Sequence, residues 1–205
     1  MKNSKDLDFL LSLKLLLSIS LLTVFVFSFL DIYLFELSRS FPGLLFKFFN
    51  NVIDPISDIL DPLNFIILFS IVLLSNLNIQ KVISHEVKIK ILKFKTGYSL
   101  NKIRDLFYFI SLVCQHSIIS LVSAGILCNL IKYVVGVSRP KYFLLEGYNR
   151  INFFNIEHKV NSFPSGHTQA AFTIAILFII YCNRFTIFVI FVAMLMGLSR
   201  IFMSM

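Results

Sequence analysis

The residues best suited to chemistry lie in Phe163-Pro164-Ser165-Gly166-His167-Thr168, between a polar loop and an apolar run. Proline suits the first turn of a helix, where unpaired backbone N–H groups and the helix dipole favour an anion. Ser165 adds a hydroxyl donor, Gly166 lets a ligand approach the backbone, and His167 can transfer a proton near neutral pH. Alone, the stretch predicts either an anion site or simply a helix start with a capping serine.

Three cationic side chains lie next to apolar segments elsewhere in the chain. Lys132 and Arg139 follow one long apolar run, and Arg200 follows another. Permanent charges beside apolar surface are costly unless an anion neutralises them. A phosphate group fits, since arginine can bind it through two N–H groups and lysine as a point charge. Each cation alone is better explained as a charge at a membrane end, but the three together predict a phosphate site.

The composition indicates a membrane protein. Of the 205 residues, 57% are hydrophobic and 15% are charged, and the mean hydropathy is +0.83, whereas soluble domains are about half apolar and about a quarter charged. The net charge of +8 then reflects orientation and contact with anionic lipid head groups rather than nucleic-acid binding. Cys114, Cys128 and Cys182 have no metal-like spacing and are expected to be buried and unpaired. No metal or other cofactor is indicated.

Five apolar runs predict an all-α, multi-span transmembrane helix bundle, forming a single domain over residues 1–205. Their approximate bounds are residues 15–30, 63–77, 106–131, 168–181 and 185–198. The last two runs are short for a membrane span unless their helices extend into the flanking motifs. Such an extension would place Ser165–His167 and Arg200 at the same membrane face.

A further helix is predicted over residues 40–53, with Ser40 as its cap and Pro42 in its first turn. Its apolar stripe follows the helical period and consists of Phe41, Leu44, Leu45, Phe48, Phe49 and Val52. A helix of this kind can lie along the membrane surface or pack against neighbouring spans, and the sequence does not decide between the two. The pairs Asp54-Pro55 and Asp61-Pro62 predict a loop before the second span.

Basic residues predict the orientation. Seven Lys and Arg residues lie between Lys81 and Arg104, which marks this segment as a cytoplasmic loop. A cytoplasmic N-terminus then places the three cationic pieces on the outer face. We therefore expect an integral protein of a bacterial inner membrane, with its site on the extracytoplasmic side.

One histidine falls inside a predicted span. His116 precedes Lys132 by 16 residues, or about 24 Å along a helix. It therefore lies toward the opposite membrane face, which favours a hydrogen-bonded packing role over a catalytic one.

Taken in order, Lys132-x6-Arg139-Pro140, Pro164-Ser165-Gly166-His167 and Ser199-Arg200 resemble the three signatures of the type 2 phosphatidic acid phosphatases. These share an active-site design with the vanadium-dependent haloperoxidases. The resemblance extends from about Tyr108 to the C-terminus, and the first two spans fit it only by hydropathy. It implies six transmembrane helices with the site on the extracytoplasmic face, in agreement with the orientation expected from charge.

The resemblance also implies a chemistry, namely metal-independent hydrolysis of a phosphomonoester or pyrophosphate through a phosphohistidine. His167 would protonate the leaving group as a general acid. The phosphate oxygens would be held by Lys132, Arg139, Ser165, the Gly166 backbone N–H and Arg200.

The third signature departs from the family pattern, which continues as Ser-Arg-x5-His-x3-Asp. That histidine is the family's nucleophile, and the aspartate orients it. Residues 201–205 supply the five intervening positions, so we expect a C-terminally incomplete domain whose nucleophile and sixth helix follow in a longer protein. His158, in the loop, is a poor substitute. A genuine stop after Met205 would instead indicate an inactive relative.

Three classes of function remain open. The leading one is an integral membrane lipid phosphatase, with phosphatidic acid, phosphatidylglycerol phosphate, a polyprenyl pyrophosphate or a lipid A phosphate as candidate substrates. The alternatives are a catalytically inactive protein that binds lipid phosphate and a small-anion channel. A channel is disfavoured because the cations gather at one face, and a haloperoxidase because those relatives are soluble. The sequence indicates no protein partner.

Overall fold

The computed structural model describes residues 12–41, 43–83, 86–182 and 185–202. The fold of these ranges is all-α, as predicted, with an isolated antiparallel bridge between Val137 and Ile151. Two features of the sequence interpretation lie outside the described residues, namely Pro42 and Met203–Met205.

The first apolar run forms a longer helix than predicted. Helix α1 (Leu13–Phe25) continues through a π-helical turn (Val26–Leu30) into α2 (Asp31–Ser40). Together they make a candidate span of 28 residues. The predicted end near residue 30 was wrong, because an acidic residue such as Asp31 suits the first turn of a helix and does not stop it.

The next region is helical, as predicted up to residue 53 but not after it, where a loop was predicted. Helix α3 (Gly43–Phe48), a π-helical turn (Phe49–Ile53) and α4 (Asp54–Ile59) follow one another without interruption. The expected loop at Asp54-Pro55 was wrong, because both residues fit the first turn of α4.

Ser40 does not cap α3. It is the last residue of α2, and its hydroxyl donates to the Leu37 carbonyl at 2.8 Å. The apolar stripe that follows packs in part against neighbouring helices: Phe49 and Ile53 are buried, and the Phe49 ring stacks on Phe202 with centroids 4.4 Å apart. Leu44 stays 78% exposed. The stripe therefore combines packing against helices with an outward-facing apolar edge.

Two long helices form the second and third candidate spans. Helix α5 (Pro62–Ile83) continues the apolar segment that begins at Gly43, and α7 (Leu100–Val135) is a single helix of 36 residues. Between them, much of the basic segment predicted as a loop is the helix α6 (Glu86–Thr96). Helix α5 is bound to α7 by the Asn76 side chain, which donates to the Ser111 hydroxyl at 2.6 Å and to the Phe107 carbonyl at 2.7 Å.

The polar connection after α7 contains α8 (Pro140–Glu146) and a 3₁₀ turn (His158–Val160). Helices α9 (Gly166–Cys182) and α10 (Thr186–Phe202) follow. Both are longer than their apolar runs, and Arg200 lies in the last turn of α10. The predicted extension of these helices into the flanking motifs is therefore confirmed.

Small residues bring α9 and α10 close together. The buried core of this region includes Ala171, Ala175 and Ala193, together with Met196. A Cβ added to Gly197 would lie 3.3 Å from the Thr168 Cγ2 atom. Short side chains allow helix backbones to approach closely without a hydrophobic driving force. This close packing fixes the start of α9 relative to the end of α10.

Candidate phosphate site

Lys132 is positioned by the end of α7. It lies in the last turn of the helix, and Gly136 closes that turn in the left-handed conformation with φ +56°. The Gly136 N–H donates to the Lys132 carbonyl at 2.9 Å. Glycine is favoured here because it adopts positive φ without steric cost. The chain therefore leaves α7 sharply and carries Arg139 back over the end of the bundle.

The serine of the second motif caps α9. The Thr168 N–H donates to the Ser165 hydroxyl oxygen at 3.4 Å, and the Gln169 N–H donates to the Ser165 carbonyl at 3.0 Å. Helix α9 begins at Gly166, so the expectation that Pro164 lies in its first turn was wrong. Proline here precedes the helix instead. The amides of Gly166 and His167 still lie at the positive end of the helix dipole.

The structure brings the first and second motifs together. The Lys132 Nζ atom lies 3.5 Å from the position that a Cβ on Gly166 would occupy. A side chain at residue 166 would therefore come into van der Waals contact with the ammonium group. The Lys132 ammonium group and the positive end of the α9 dipole therefore lie next to each other, as an anion site requires.

The third motif meets a part of the chain that the sequence did not implicate. The Arg200 Nη2 group donates to the Asp54 carboxylate and to the Ser57 hydroxyl, the latter at 2.9 Å. Arg200 is 6% exposed, and Ser57 is fully buried. The anion expected among the cations is thus provided in part by the protein itself, because a buried guanidinium requires a compensating charge.

Ser165, Thr168 and Arg200 line one cavity of about 210 Å³. Another wall comes from α2 and the π-helical turn that precedes it, including Phe27 and Asp31. Apolar side chains form most of the remaining lining. The cavity therefore combines a polar end, where the second and third motifs meet, with an apolar wall formed by the first candidate span.

His167 lies beside this cluster in the first turn of α9 and is half-buried. The charged groups that act on it are, in order of strength, Arg200, Asp61, Asp58 and Asp54. His167 is therefore influenced by a cation from α10 and by carboxylates from α4 and the turn that follows it, as suits a side chain that transfers a proton.

Arg139 reaches a different partner. Its Nη2 atom lies 3.0 Å from the His158 Nε2 atom, and its backbone N–H donates to the Lys159 carbonyl at 3.0 Å. Its Nε–H group is buried and has no hydrogen-bond partner among the described residues. Arg139 thus lies over the same end of the bundle, and the adjacent Pro140 lines the cavity, but its guanidinium pairs with a loop histidine.

Lys159 fixes the loop that receives Arg139. Its Nζ atom forms an ion pair with Glu146 at 3.0 Å and lies 5.2 Å and 5.1 Å from the ring centroids of Tyr142 and Tyr148. Hydrogen bonds to Glu146 and then to Tyr148 raise the pKa of Lys159, so the side chain stays cationic. The Lys159 carbonyl is thereby fixed as the acceptor for the Arg139 backbone.

Arg150 anchors the loop to the first candidate span. Its guanidinium donates to the Phe27 carbonyl, lies 4.0 Å from the Phe27 ring centroid and is 3.6 Å from the Asp31 carboxylate. Phe27 lies in the π-helical turn, where the wider hydrogen-bonding pattern makes a carbonyl accessible. This contact fixes the apolar wall of the cavity against the loop.

His116 has the packing role expected for it. Its Nδ1 atom lies 2.6 Å from the Tyr181 hydroxyl, near the C-terminal end of α9, whereas Lys132 meets α9 at its N-terminal end. Of the three cysteines, Cys114 and Cys128 are buried as expected, but Cys182 is exposed and that expectation was wrong.

Changing Tyr181 to phenylalanine should leave phosphate binding at the site within about twofold, because the hydrogen bond is remote from the site. It should lower the free energy of unfolding by about 1 kcal/mol, the typical net value of one hydrogen bond. Phosphate binding by calorimetry and thermal unfolding in detergent micelles measure the two effects. A large loss of phosphate binding at unchanged stability would connect the His116–Tyr181 pair to the site.

Sequence reasoning missed Asp54, Ser57, Asp31 and Arg150, and it dismissed His158. The available signal was the presence of carboxylates within apolar helical segments, where an unpaired charge is costly and a partner is therefore expected. Within the described ranges, no three His, Cys, Asp or Glu side chains come together as a metal-ion site.

The fold and these contacts define an all-α helical bundle with long apolar candidate membrane spans and a cationic cluster at one end. Residues 116–205 match the model of the PAP2 superfamily. The family resemblance predicted from the three motifs is thereby confirmed over this part of the chain. The match supports a phosphatase-type enzyme in a membrane setting. No curated protein and no solved structure was found to match the chain.

Proposed function

We propose that this protein is an integral membrane lipid phosphatase that hydrolyses a phosphomonoester or pyrophosphate on a lipid head group. The observation that carries the proposal is the meeting of three motifs at one end of the bundle. Lys132 lies against Gly166, and Ser165 lines a cavity together with Arg200. A phosphoryl group bound where these motifs meet would face cations and helix amides, which stabilise the charge that spreads over its oxygens during transfer.

The proposed roles follow from position. Lys132, Arg200, Ser165 and the Gly166 N–H bind the phosphate, and His167 protonates the leaving oxygen. Arg139 joins the site by giving up its contact with His158. The His158 imidazole is exposed, so water can replace the guanidinium there, and the buried Arg139 Nε–H has no hydrogen-bond partner among the described residues to hold it in place. The apolar wall from α2 and the π-helical turn that precedes it accommodates the lipid portion of the substrate. The site faces the extracytoplasmic side of a bacterial inner membrane, as the basic segment between α5 and α7 favours.

The hydrolysis is proposed to be metal-independent and to pass through a phosphohistidine. The family resemblance implies a nucleophilic histidine and an aspartate that orients it. The bond from phosphorus to the leaving oxygen breaks as histidine nitrogen attacks, and water then cleaves the phosphohistidine. The assay uses the full-length protein.

Phosphate release from phosphatidic acid dispersed in detergent tests the proposal. Release should continue in excess EDTA. Changing Arg139 to alanine should lower kcat/KM about 10- to 100-fold, the effect expected for losing one charge-assisted hydrogen bond at about 1.5–3 kcal/mol. Arg104→Ala, in the basic segment at the start of α7, is the matched control and should stay near the wild-type value.

The outcomes separate the three classes of function. Binding of phosphatidic acid without phosphate release would favour the inactive lipid-phosphate-binding protein. Anion flux through proteoliposomes without release would favour the channel. Release that stops in EDTA would overturn the metal-independent reaction while leaving a phosphatase.

A further inference from the structure

We propose that Asp54 and Ser57 are positioning residues for Arg200, and that α4 is a fourth piece of the phosphate site. This inference rests on the proposed function. Both residues precede the segment that matches the family model, residues 116–205. The contact therefore belongs to the part of this chain that the family match leaves unassigned.

The geometry fixes the plane of the guanidinium. Both contacts involve the same nitrogen, Nη2, which donates to the Asp54 Oδ1 atom and to the Ser57 hydroxyl oxygen. A guanidinium presents its N–H groups in a rigid planar fork. Fixing one end of that fork fixes the orientation of the whole guanidinium beside the cavity that Arg200 lines together with Ser165 and Thr168.

Burial helps the Arg200–Asp54 contact to keep its geometry. Ser57 is fully buried, and the Arg200 side chain is 7% exposed, against 23% for Asp54. Water therefore competes weakly for the guanidinium, and the pair keeps its geometry better than an exposed ion pair would.

Local structure explains how α4 places Asp54 and Ser57 next to Arg200. Asp54 and Pro55 form the first turn of α4, so Asp54 is fixed by the helix start. Ser57 follows three residues later and lies on the same helix face. Phe49 and Ile53, in the preceding π-helical turn, belong to the core that includes Ala193 and Met196 of α10. This packing sets the distance between α4 and the last turn of α10.

The test is Asp54→Asn, which keeps the shape of the side chain and removes its charge. We expect kcat for phosphatidic acid to fall about 10- to 100-fold with KM within about threefold, because a misdirected guanidinium loses transition-state stabilisation more than binding. Ser57→Ala should lower kcat in the same direction by a smaller factor. Asp54→Glu should recover part of the loss because it restores the carboxylate.

Asp58→Asn is the matched control. Asp58 lies one turn further along α4, is exposed and also acts on His167 by its charge. Equal losses for Asp54→Asn and Asp58→Asn would show that the summed negative charge matters, and would overturn the positioning role. A lower melting temperature for Asp54→Asn, at unchanged kcat per folded molecule, would reduce the contact to structural packing.

Two further measurements keep the outcomes distinct. Binding of short-chain phosphatidic acid by calorimetry should change little in Asp54→Asn, matching the KM. If Asp54→Asn does not fold, Ser57→Ala decides alone, and an unchanged kcat there overturns the proposal. Absence of both binding and release in the wild-type protein would instead overturn the proposed function, and this inference with it.

Discussion

Replacing His167 with alanine is expected to lower kcat for phosphatidic acid by about 10²- to 10⁴-fold, the usual contribution of a positioned general acid. Affinity for the lipid should stay within about threefold, because Lys132, Ser165 and the Gly166 amide remain in place. The reason is the location of His167: it lies in the first turn of α9, half-buried, with Arg200 as its strongest charged neighbour. A leaving alkoxide that is not protonated there must depart as a strong base.

The leaving group provides the sharper measurement. An aryl phosphate such as p-nitrophenyl phosphate releases a stable anion and needs little protonation. The loss in His167→Ala should therefore be at least about tenfold smaller for this substrate than for phosphatidic acid, if both are limited by chemistry. His116→Ala is the control, because His116 meets α9 at its other end. Equal losses on both substrates would show that His167 binds phosphate instead of donating a proton.

Order and residue type were enough to predict part of the site. Lys132, Ser165, Gly166 and Arg200 each lie at the end of an apolar run, and the lengths of those runs require their ends to meet at one membrane face. The structure indeed places Lys132 against Gly166, and Ser165 on one cavity with Arg200. Local helix chemistry and membrane thickness therefore predict these positions without any knowledge of side-chain contacts.

The contacts of Arg200 could not be predicted in this way. The Asp54-Pro55 pair is equally typical of a turn and of a helix's first turn, because both favour the fixed φ of proline and an acidic residue. Only the packing of α4 against α10 decides between them, through Phe49 and Ile53 in the shared core. The partner of a buried charge is a tertiary property, since it depends on which helices become neighbours.

The partner of Arg139 could not be predicted from the sequence either. Its place after α7 was predictable, but its rotamer depends on a loop fixed by Lys159, Glu146 and two tyrosine rings. A long, flexible side chain at a helix end can reach several acceptors within a few ångströms. The sequence specifies the reach of Arg139, and the loop specifies its partner, His158.

The conformation of Gly136 couples the stability of the fold to the geometry of the site. Gly136 adopts φ +56°, and a Cβ added there would lie 1.9 Å from the Asn152 carbonyl oxygen and 2.7 Å from its carbonyl carbon. These are backbone atoms, so no side-chain rotation relieves the overlap. Two hydrogen bonds hold residues 150–152 against residues 136–138. The Asn152 N–H donates to the Gly136 carbonyl at 2.8 Å, and the Ser138 N–H donates to the Arg150 carbonyl at 3.0 Å.

Gly136→Ala is therefore expected to lower the free energy of unfolding by about 2–4 kcal/mol. The left-handed conformation contributes about 1–2 kcal/mol, and displacement of residue 152 costs at least one backbone hydrogen bond, about 1 kcal/mol. Because Gly136 lies in the turn that connects Lys132 to Arg139, kcat should also fall about 100-fold, as for other displacements of about 1 Å. Thermal unfolding followed by circular dichroism in detergent and phosphate release measure the two effects.

Substitutions at two other glycines separate the cost of the left-handed conformation of Gly136 from the cost of its close approach to Asn152. Gly147 has φ +73° and nothing within 4 Å of an added Cβ, so Gly147→Ala should show the backbone cost alone, about 1–2 kcal/mol. Gly125, inside α7, also has open space around it, and Gly125→Ala should stabilise the helix by up to about 1 kcal/mol. If Gly136→Ala and Gly147→Ala cost the same, the close approach to Asn152 does not constrain the protein. If Gly136→Ala alone also removes activity, the turn after α7 is what sets Lys132 and Arg139 at their working distance.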